Sequence, residues 1–124
     1  MKLIIVEDSP QVKNALKKIF SLVEGIQITG EAENVQTGVE LIKAQRPDVV
    51  ILDFRLPDGT AVDVLNQSKK DEYSQTFIIL TNYYSEQYRK ACLNAGADYF
   101  FHKATEFQKV KQVLDRLTQQ TSSY

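Results

Sequence analysis

The sequence predicts an α/β domain: a five-stranded, doubly wound parallel sheet with five helices. Short apolar runs alternate five times with longer segments whose apolar residues recur every three or four positions. The runs are nearly continuous in apolar character, as in strands that helices cover on both faces. Each run is followed by a helical segment, so right-handed β-α-β crossovers would join parallel neighbours. We expect a single domain over residues 1–124, with no output domain after the fifth helix.

Five runs have the length and composition of β-strands. The second run is the weakest, because Gln27 and Thr29 alternate with Ile26 and Ile28, a pattern typical of a half-covered edge strand. The predicted strands are 3–6, 26–29, 49–52, 77–80 and 99–101.

The intervening segments carry apolar stripes and helix-end signals. Gly96 predicts a left-handed end for the fourth helix. The N-cap candidates are Ser9 before Pro10, Asn34, Thr60 and, with Gln108 three residues on, Thr105. The predicted helix faces are Val12, Ala15, Leu16, Ile19, Phe20 and Val23; Val35, Val39 and Ile42; Ala61, Val62 and Leu65; Tyr84, Tyr88, Ala91, Cys92 and Ala95; and Phe107, Val110, Val113, Leu114 and Leu117.

Composition excludes several classes of function. The net charge of −1 and the pI of about 5.8 give no basic footprint for nucleic acid. Cys92 and His102 are the only residues of their types, which argues against a disulfide, a cysteine zinc cluster and a Ser/His triad. No apolar run has membrane-spanning or signal-peptide length. We therefore expect a cytoplasmic protein that contacts neither nucleic acid nor membrane directly.

Polar residues that suit phosphoryl chemistry follow four of the five runs. Glu7 and Asp8 follow the first, Asp53 the third, Thr81 the fourth and Lys103 the fifth. Ligands of open parallel sheets bind at these carboxyl ends. Clustered carboxylates repel unless a cation is present, and a hard ion such as Mg²⁺ suits oxygen ligands.

The residue types also fit a reaction at phosphorus. An aspartate carboxylate can attack phosphorus to give an aspartyl phosphate, and a metal would neutralise charge in that transition state. Lys103 and Thr81 could each bind a phosphoryl oxygen. Taken singly, each acid is as well explained by a turn or a helix dipole. Their joint occurrence predicts a phospho-acceptor site at Asp53.

With these motifs, the chain resembles the receiver domain of bacterial two-component response regulators over essentially its whole length. The matching segments are 5–8, 49–59, Thr81 and 96–103. The resemblance implies a flavodoxin-like sheet of order 2-1-3-4-5 and phosphorylation of Asp53 by a histidine kinase or histidine phosphotransfer protein. It implies that Thr81 and Lys103 engage the phosphoryl group and that Phe100 is an aromatic switch. The implied ligands of Mg²⁺ (or Mn²⁺) are Glu7, Asp8, Asp53 and the backbone carbonyl of Arg55.

Four positions depart from, or vary within, the pattern of the family. Ala104 stands where proline commonly follows the lysine, so we expect either a trans bond with a changed loop or a strained cis bond. Asn82 is larger than the usual residue after the threonine and would hinder entry of the phosphoryl group. Arg55 and Tyr83 occupy positions that influence the lifetime of the phosphoryl group, and we expect Tyr83 to shield it from water.

Output would depend on binding, since the domain is expected to catalyse only its own phosphorylation and dephosphorylation. The aromatic residues favour a contact face across the fourth helix, fifth strand and fifth helix. An unidentified downstream protein and a homodimer are the candidate partners. The aromatic residues are Tyr83, Tyr84 and Tyr88, with Tyr99, Phe100 and Phe101, and we expect Tyr99 and Phe101 to be buried.

Two other functions stay open. An interaction module that needs no phosphorylation would tolerate Asn82 and Ala104. A Mg²⁺-dependent phosphohydrolase is less favoured, because its second aspartate would fall at Pro10. A nucleotide-binding domain is disfavoured, because no glycine-rich loop follows the first strand.

Overall fold

A central sheet of five parallel strands forms the middle layer of the protein. The computed structural model describes residues 1–68 and 75–121. The strands are β1 (Lys2–Val6), β2 (Gln27–Ala32), β3 (Val49–Leu52), β4 (Thr76–Thr81) and β5 (Tyr99–His102). Their spatial order is β2-β1-β3-β4-β5, which confirms the predicted fold and strand order.

Five helices are present in the described residues, as predicted: four lie between successive strands and the fifth follows β5. They are α1 (Pro10–Phe20), α2 (Val35–Gln45), α3 (Ala61–Ser68), α4 (Glu86–Asn94) and α5 (Phe107–Thr121). A two-stranded antiparallel ribbon, Arg55–Leu56 with Gly59–Thr60, lies between β3 and α3 and was not predicted. Among the described helices, none is both long and apolar enough to cross a bilayer.

Two hydrophobic cores lie on opposite faces of the sheet. Alternate strand residues supply them, so Ile4 and Val50 face one core while Leu3 and Ile51 face the other. The first core is covered by α2, α3 and α4, and the second by α1 and α5. Each fully buried side chain of this kind contributes about 1.5–3 kcal/mol. Burial on both faces is the reason that the strands read as continuous apolar runs.

The helix caps agree in part with the sequence. Ser9 Oγ accepts from the Val12 N–H at 3.3 Å, and Asn34 Oδ1 accepts from the Thr37 N–H at 2.8 Å, so both predicted caps are confirmed. Gly96 follows α4 with φ +112°, also as predicted.

Other element ends differ from the prediction. The edge strand β2 continues to Ala32, because pairing with β1 extends to Val6. Helix α4 begins after Ser85, whose Oγ accepts from the Tyr88 N–H at 3.1 Å. Helix α5 begins at Phe107, two residues beyond the predicted cap.

The buried face of α1 corrects one part of the prediction. Leu16 and Phe20 are buried, but Ala15 and Ile19 are exposed. The inward stripe instead includes Lys13, which is 6% exposed. Its ammonium is neutralised by Glu31 of β2 at 3.6 Å and by Glu33, directly after β2, at 2.6 Å.

Candidate functional site

Three carboxylates meet at the carboxyl end of the sheet. Val6 lies opposite Leu52 in the register of β1 and β3, so Glu7 and Asp53 leave adjacent strands at the same level. One oxygen from each of Glu7, Asp8 and Asp53 lies within 4.8 Å of the other two. Glu7 is 2% exposed and Asp53 7% exposed, whereas Asp8 is open to solvent. The structure therefore brings together the acids that the sequence singled out.

Lys103 neutralises part of this cluster. Its Nζ lies 2.7 Å from Glu7 Oε1 and 3.6 Å from Asp53 Oδ2. The remaining acceptors are also engaged, since Asp53 Oδ1 accepts from the Phe54 N–H at 2.7 Å and Glu7 Oε2 from the Ser9 N–H at 3.2 Å. These bonds hold both buried carboxylates in fixed orientations.

The donor set fits a divalent metal ion. The pKa of Asp8 is raised, first by desolvation and then by a hydrogen bond to Glu7 and the charge of Glu7, while the Lys103 charge opposes the rise. A single ammonium beside three carboxylates leaves excess negative charge. Mg²⁺ prefers such oxygen ligands together with several waters.

A cavity of about 290 Å³ opens above the carboxylates. Since one water occupies about 30 Å³ of liquid, it has room for a phosphoryl group and several waters. Its lining includes four predicted site residues and the three positions expected to modulate the rates of phosphoryl entry or loss. They are Glu7, Asp8, Asp53 and Lys103, and Arg55, Asn82 and Tyr83.

Thr81 lies beside the cavity and does not line it. The residue ends β4 and is fully buried. Its Oγ1 accepts from the Tyr83 N–H at 3.1 Å, while its backbone carbonyl accepts from the Lys103 N–H at 2.8 Å. Contact between this hydroxyl and a phosphoryl group would require a change of side-chain or loop conformation.

Arg55 and Tyr83 are stacked at the cavity. The guanidinium carbon of Arg55 lies 4.6 Å from the centroid of the Tyr83 ring, a cation–π geometry. Tyr83 is 46% exposed, and both residues line the cavity. The sequence did not reveal this contact, although each of the two residues stands two positions after a predicted site residue, Asp53 or Thr81.

Phe100 is buried in the core under α2, α3 and α4. Its ring centroid lies 5.6 Å from that of Tyr84, which is 46% exposed and also contacts the His102 ring at 5.9 Å. Tyr99 and Phe101 stack on each other at 5.6 Å and pack against the opposite core. They are half-buried, so the expectation that both are simply buried was only partly right.

The loop that carries Lys103 contains a residue that the sequence reading missed. The Lys103–Ala104 bond is trans, as are all peptide bonds in the described residues. Glu106 Oε1 accepts from the His102 N–H at 2.9 Å, so its carboxylate reaches back over the loop. Its position four residues after His102 was a weak signal of this contact.

The family model for the response regulator receiver domain matches residues 3–115. This chain belongs to the response regulator receiver family. The receiver domain is 24% identical over 112 residues to the nitrate/nitrite response regulator NarL of Escherichia coli K12, covering 90% of this chain and 52% of NarL. It is 28% identical over 123 residues to the sensory transduction protein LytR of Staphylococcus haemolyticus, covering 99% of this chain and 47% of LytR.

Solved structures show the same fold. The response regulator domain of Thermotoga maritima CheB superposes with a TM-score of 0.82 at 21% identity, covering all of this chain and 97% of that one. A chain of the CheX–CheY–BeF3–Mg²⁺ complex from Borrelia burgdorferi superposes with a TM-score of 0.84 at 27% identity, covering 94% and 88%.

These likenesses are to receiver domains and response regulators, and they do not favour the phosphohydrolase. The receiver domain spans about half the length of the curated relatives that it matches.

Proposed function

We propose that this receiver domain accepts a phosphoryl group on Asp53 from a histidine kinase or a histidine phosphotransfer protein. One observation carries the proposal: the Asp53 carboxylate, two further acids and an ammonium share one cavity. The domain would receive and release this group rather than turn over external phosphate esters. Since such donors draw on ATP, we place the exchange in the cytoplasm.

The reaction forms one bond and breaks one. A carboxylate oxygen of Asp53 attacks the phosphorus of the donor phosphohistidine, and the phosphorus–nitrogen bond breaks. The donor imidazole leaves with the electron pair, and an acyl phosphate remains on Asp53. Because the backbone N–H of Phe54 holds Asp53 Oδ1 at 2.7 Å, the carboxylate is oriented before the donor arrives.

Mg²⁺ or Mn²⁺ would be held by Glu7, Asp8, Asp53 and the Arg55 carbonyl, and it would supply positive charge for the phosphoryl oxygens. Lys103 would add a second positive charge. Its Nζ lies 3.6 Å from Asp53 Oδ2 and 2.7 Å from Glu7 Oε1, so it could exchange its contact with Glu7 for one with a phosphoryl oxygen on Asp53.

The signal would leave the cavity through Thr81 and Phe100. The Thr81 hydroxyl would exchange its contact with the Tyr83 N–H for one with a phosphoryl oxygen, which pulls on the loop before α4. Phe100 is already buried here, so we propose that it responds by repacking against Tyr84 rather than by turning inward from solvent. Phosphorylation thereby biases two arrangements of one element.

Intact mass after incubation with acetyl phosphate and Mg²⁺ tests the acceptor. We expect wild type to gain the mass of one phosphoryl group and Asp53→Asn to gain none. Removal of Mg²⁺ with EDTA should abolish the gain. Absence of labelling in wild type, in protein that still binds Mg²⁺, would favour the interaction module. Continuous hydrolysis of external esters would contradict the proposal.

We also propose the α4–β5–α5 face as the surface that a downstream partner reads. Tyr84 is half-exposed and contacts Phe100, which links this face to the core beside the cavity. A second copy of the chain is one candidate partner. Sedimentation with and without beryllofluoride and Mg²⁺ would show whether the mass doubles in the activated state; if it does not, a different protein reads the face.

A further inference from the structure

The loop after β5 must hold Lys103 without the proline that commonly follows this lysine. Ala104 and Thr105 are exposed, and the Lys103–Ala104 bond is trans. Lys103 nevertheless reaches Glu7 at 2.7 Å and Asp53 at 3.6 Å. Since the four-carbon stem of a lysine has a limited length, this reach depends on where the backbone of Lys103 is fixed.

Glu106 closes a ring of hydrogen bonds around Lys103. Glu106 Oε1 accepts from the His102 N–H at 2.9 Å, and the Glu106 N–H donates to the His102 carbonyl at 2.8 Å. His102 and Glu106, which flank the loop, are therefore joined by two hydrogen bonds, and each residue is the donor in one of them. The Lys103 N–H, between them, donates to the Thr81 carbonyl at 2.8 Å. The backbone of Lys103 is thus tied to β4 and to the start of α5.

Two further contacts support the ring. The imidazole Nδ1 of His102 accepts from the Ala104 N–H at 3.2 Å, which restrains the residue after Lys103. Glu106 Oε2 accepts from Lys109 Nζ at 3.0 Å. The pKa of Glu106 is lowered, first by the His102 N–H and then by Lys109, so the carboxylate is charged at neutral pH. A charged acceptor makes a stronger bond to a backbone N–H than a neutral one does.

We propose that Glu106 is a positioning residue, which fixes the backbone of Lys103 so that its ammonium can reach the phosphoryl group on Asp53. This inference deepens the proposed function and rests on it. Glu106 does not line the cavity, so it acts on the reaction only through Lys103.

Three substitutions distinguish the effects of the length of the Glu106 side chain, of its charge and of its salt bridge with Lys109. Glu106→Asp keeps the charge but loses the reach to the His102 N–H, and we expect phosphorylation by acetyl phosphate to slow about three- to tenfold. Glu106→Gln keeps an acceptor oxygen at the same distance and should restore the rate to within about twofold. Lys109→Ala removes only the exposed salt bridge and should change the rate less than about twofold.

A double-mutant cycle identifies the route of the effect. In a Lys103→Ala background, Glu106→Asp should cause no further slowing, because the residue through which it acts is gone. Slowing by the same factor in both backgrounds would overturn the inference. The inference would also be overturned if Glu106→Asp alone were phosphorylated at the wild-type rate.

The Glu7–Lys103 ion pair gives a readout that needs no phosphodonor. The coupling between Glu7→Gln and Lys103→Ala, measured by urea unfolding, should fall when Glu106→Asp is added. If the coupling energy falls but wild type is not phosphorylated, the proposed function is refuted, while the positioning of Lys103 by Glu106 is supported. Unchanged coupling would refute the positioning, whether or not Asp53 is phosphorylated.

Discussion

Removal of the Tyr83 ring should shorten the lifetime of the acyl phosphate on Asp53. The ring lines the cavity and lies under the Arg55 guanidinium, with 4.6 Å between the guanidinium carbon and the ring centroid. We expect this stack to hinder water that approaches the phosphoryl group. Substitution of either side chain leaves the Arg55 carbonyl, an expected metal ligand, in place.

The size of the effect follows from the stack. Both residues are exposed, so the contact is worth about 0.5–1 kcal/mol rather than the larger value of a desolvated pair. If hydrolysis proceeds from the open arrangement, loss of the contact accelerates it by about two- to fivefold, at 1.36 kcal/mol for each factor of ten. Arg55→Met should show this acceleration, and Tyr83→Ala should equal or exceed it.

Dephosphorylation of protein labelled with a phosphodonor, followed by intact mass after the donor is removed, measures this lifetime. Tyr83→Phe is the matched control, because it keeps the ring that contacts Arg55 and loses only the hydroxyl. We expect it to match wild type. In the double variant, Arg55→Met should add nothing to Tyr83→Ala. An unchanged lifetime for Tyr83→Ala, or equal acceleration by Tyr83→Phe, would refute the reasoning.

Three further predictions concern stability and reactivity. Glu33→Ala should cost about 1–3 kcal/mol in urea unfolding, because it leaves the buried Lys13 ammonium with only the longer contact to Glu31 at 3.6 Å. Lys13→Met should cost less than about 1 kcal/mol, because the carboxylates that it leaves are reached by water, and the reverse order would contradict this. The pKa of Asp58 is lowered chiefly by the hydrogen bond from the Val35 N–H, so the charged carboxylate stabilises the fold above its ordinary pKa of 3.8, and this stabilisation is lost as the pH falls. Thermal unfolding should therefore show Asp58→Asn to be less stable than wild type at pH 7, and the difference should disappear in acid. Burial raises the pKa of the Cys92 thiol to about 11. Alkylation of this thiol by iodoacetamide at pH 8 should therefore be at least about tenfold slower in folded than in urea-unfolded protein. Equal rates would exclude this burial.

The position of the site could be predicted because it depends on strand ends alone. Glu7 and Asp53 come directly after apolar runs, and Lys103 comes one residue after the fifth run, directly after the end of β5. Parallel strands in register place such residues at one edge of the sheet. Side-chain rotamers have little influence on which residues meet at this edge. The alternation of apolar runs and helical stripes determined the fold in the same way, since both faces of every inner strand had to be covered.

Contacts that depend on side-chain direction could not be predicted in this way. The Thr81 hydroxyl accepts from the Tyr83 N–H and does not line the cavity. The periodicity of apolar residues carries no information about this hydrogen bond. Lys13 can lie in a buried stripe because its ammonium donates to Glu33, which follows β2 and is 20 residues away along the chain. A stripe shows which positions face inward, but it does not show which polar residue will find a partner there.

The assignment of strand residues to two separate cores has a consequence for how such a protein can diverge. Phe100 packs with α2, α3 and α4, whereas its neighbours Tyr99 and Phe101 pack with α1 and α5. Because the sheet separates these layers, substitutions beneath α1 and α5 leave the surroundings of Phe100 unchanged. A lineage can therefore repack the core beneath α1 and α5 while Phe100 keeps its packing in the core beneath α2, α3 and α4.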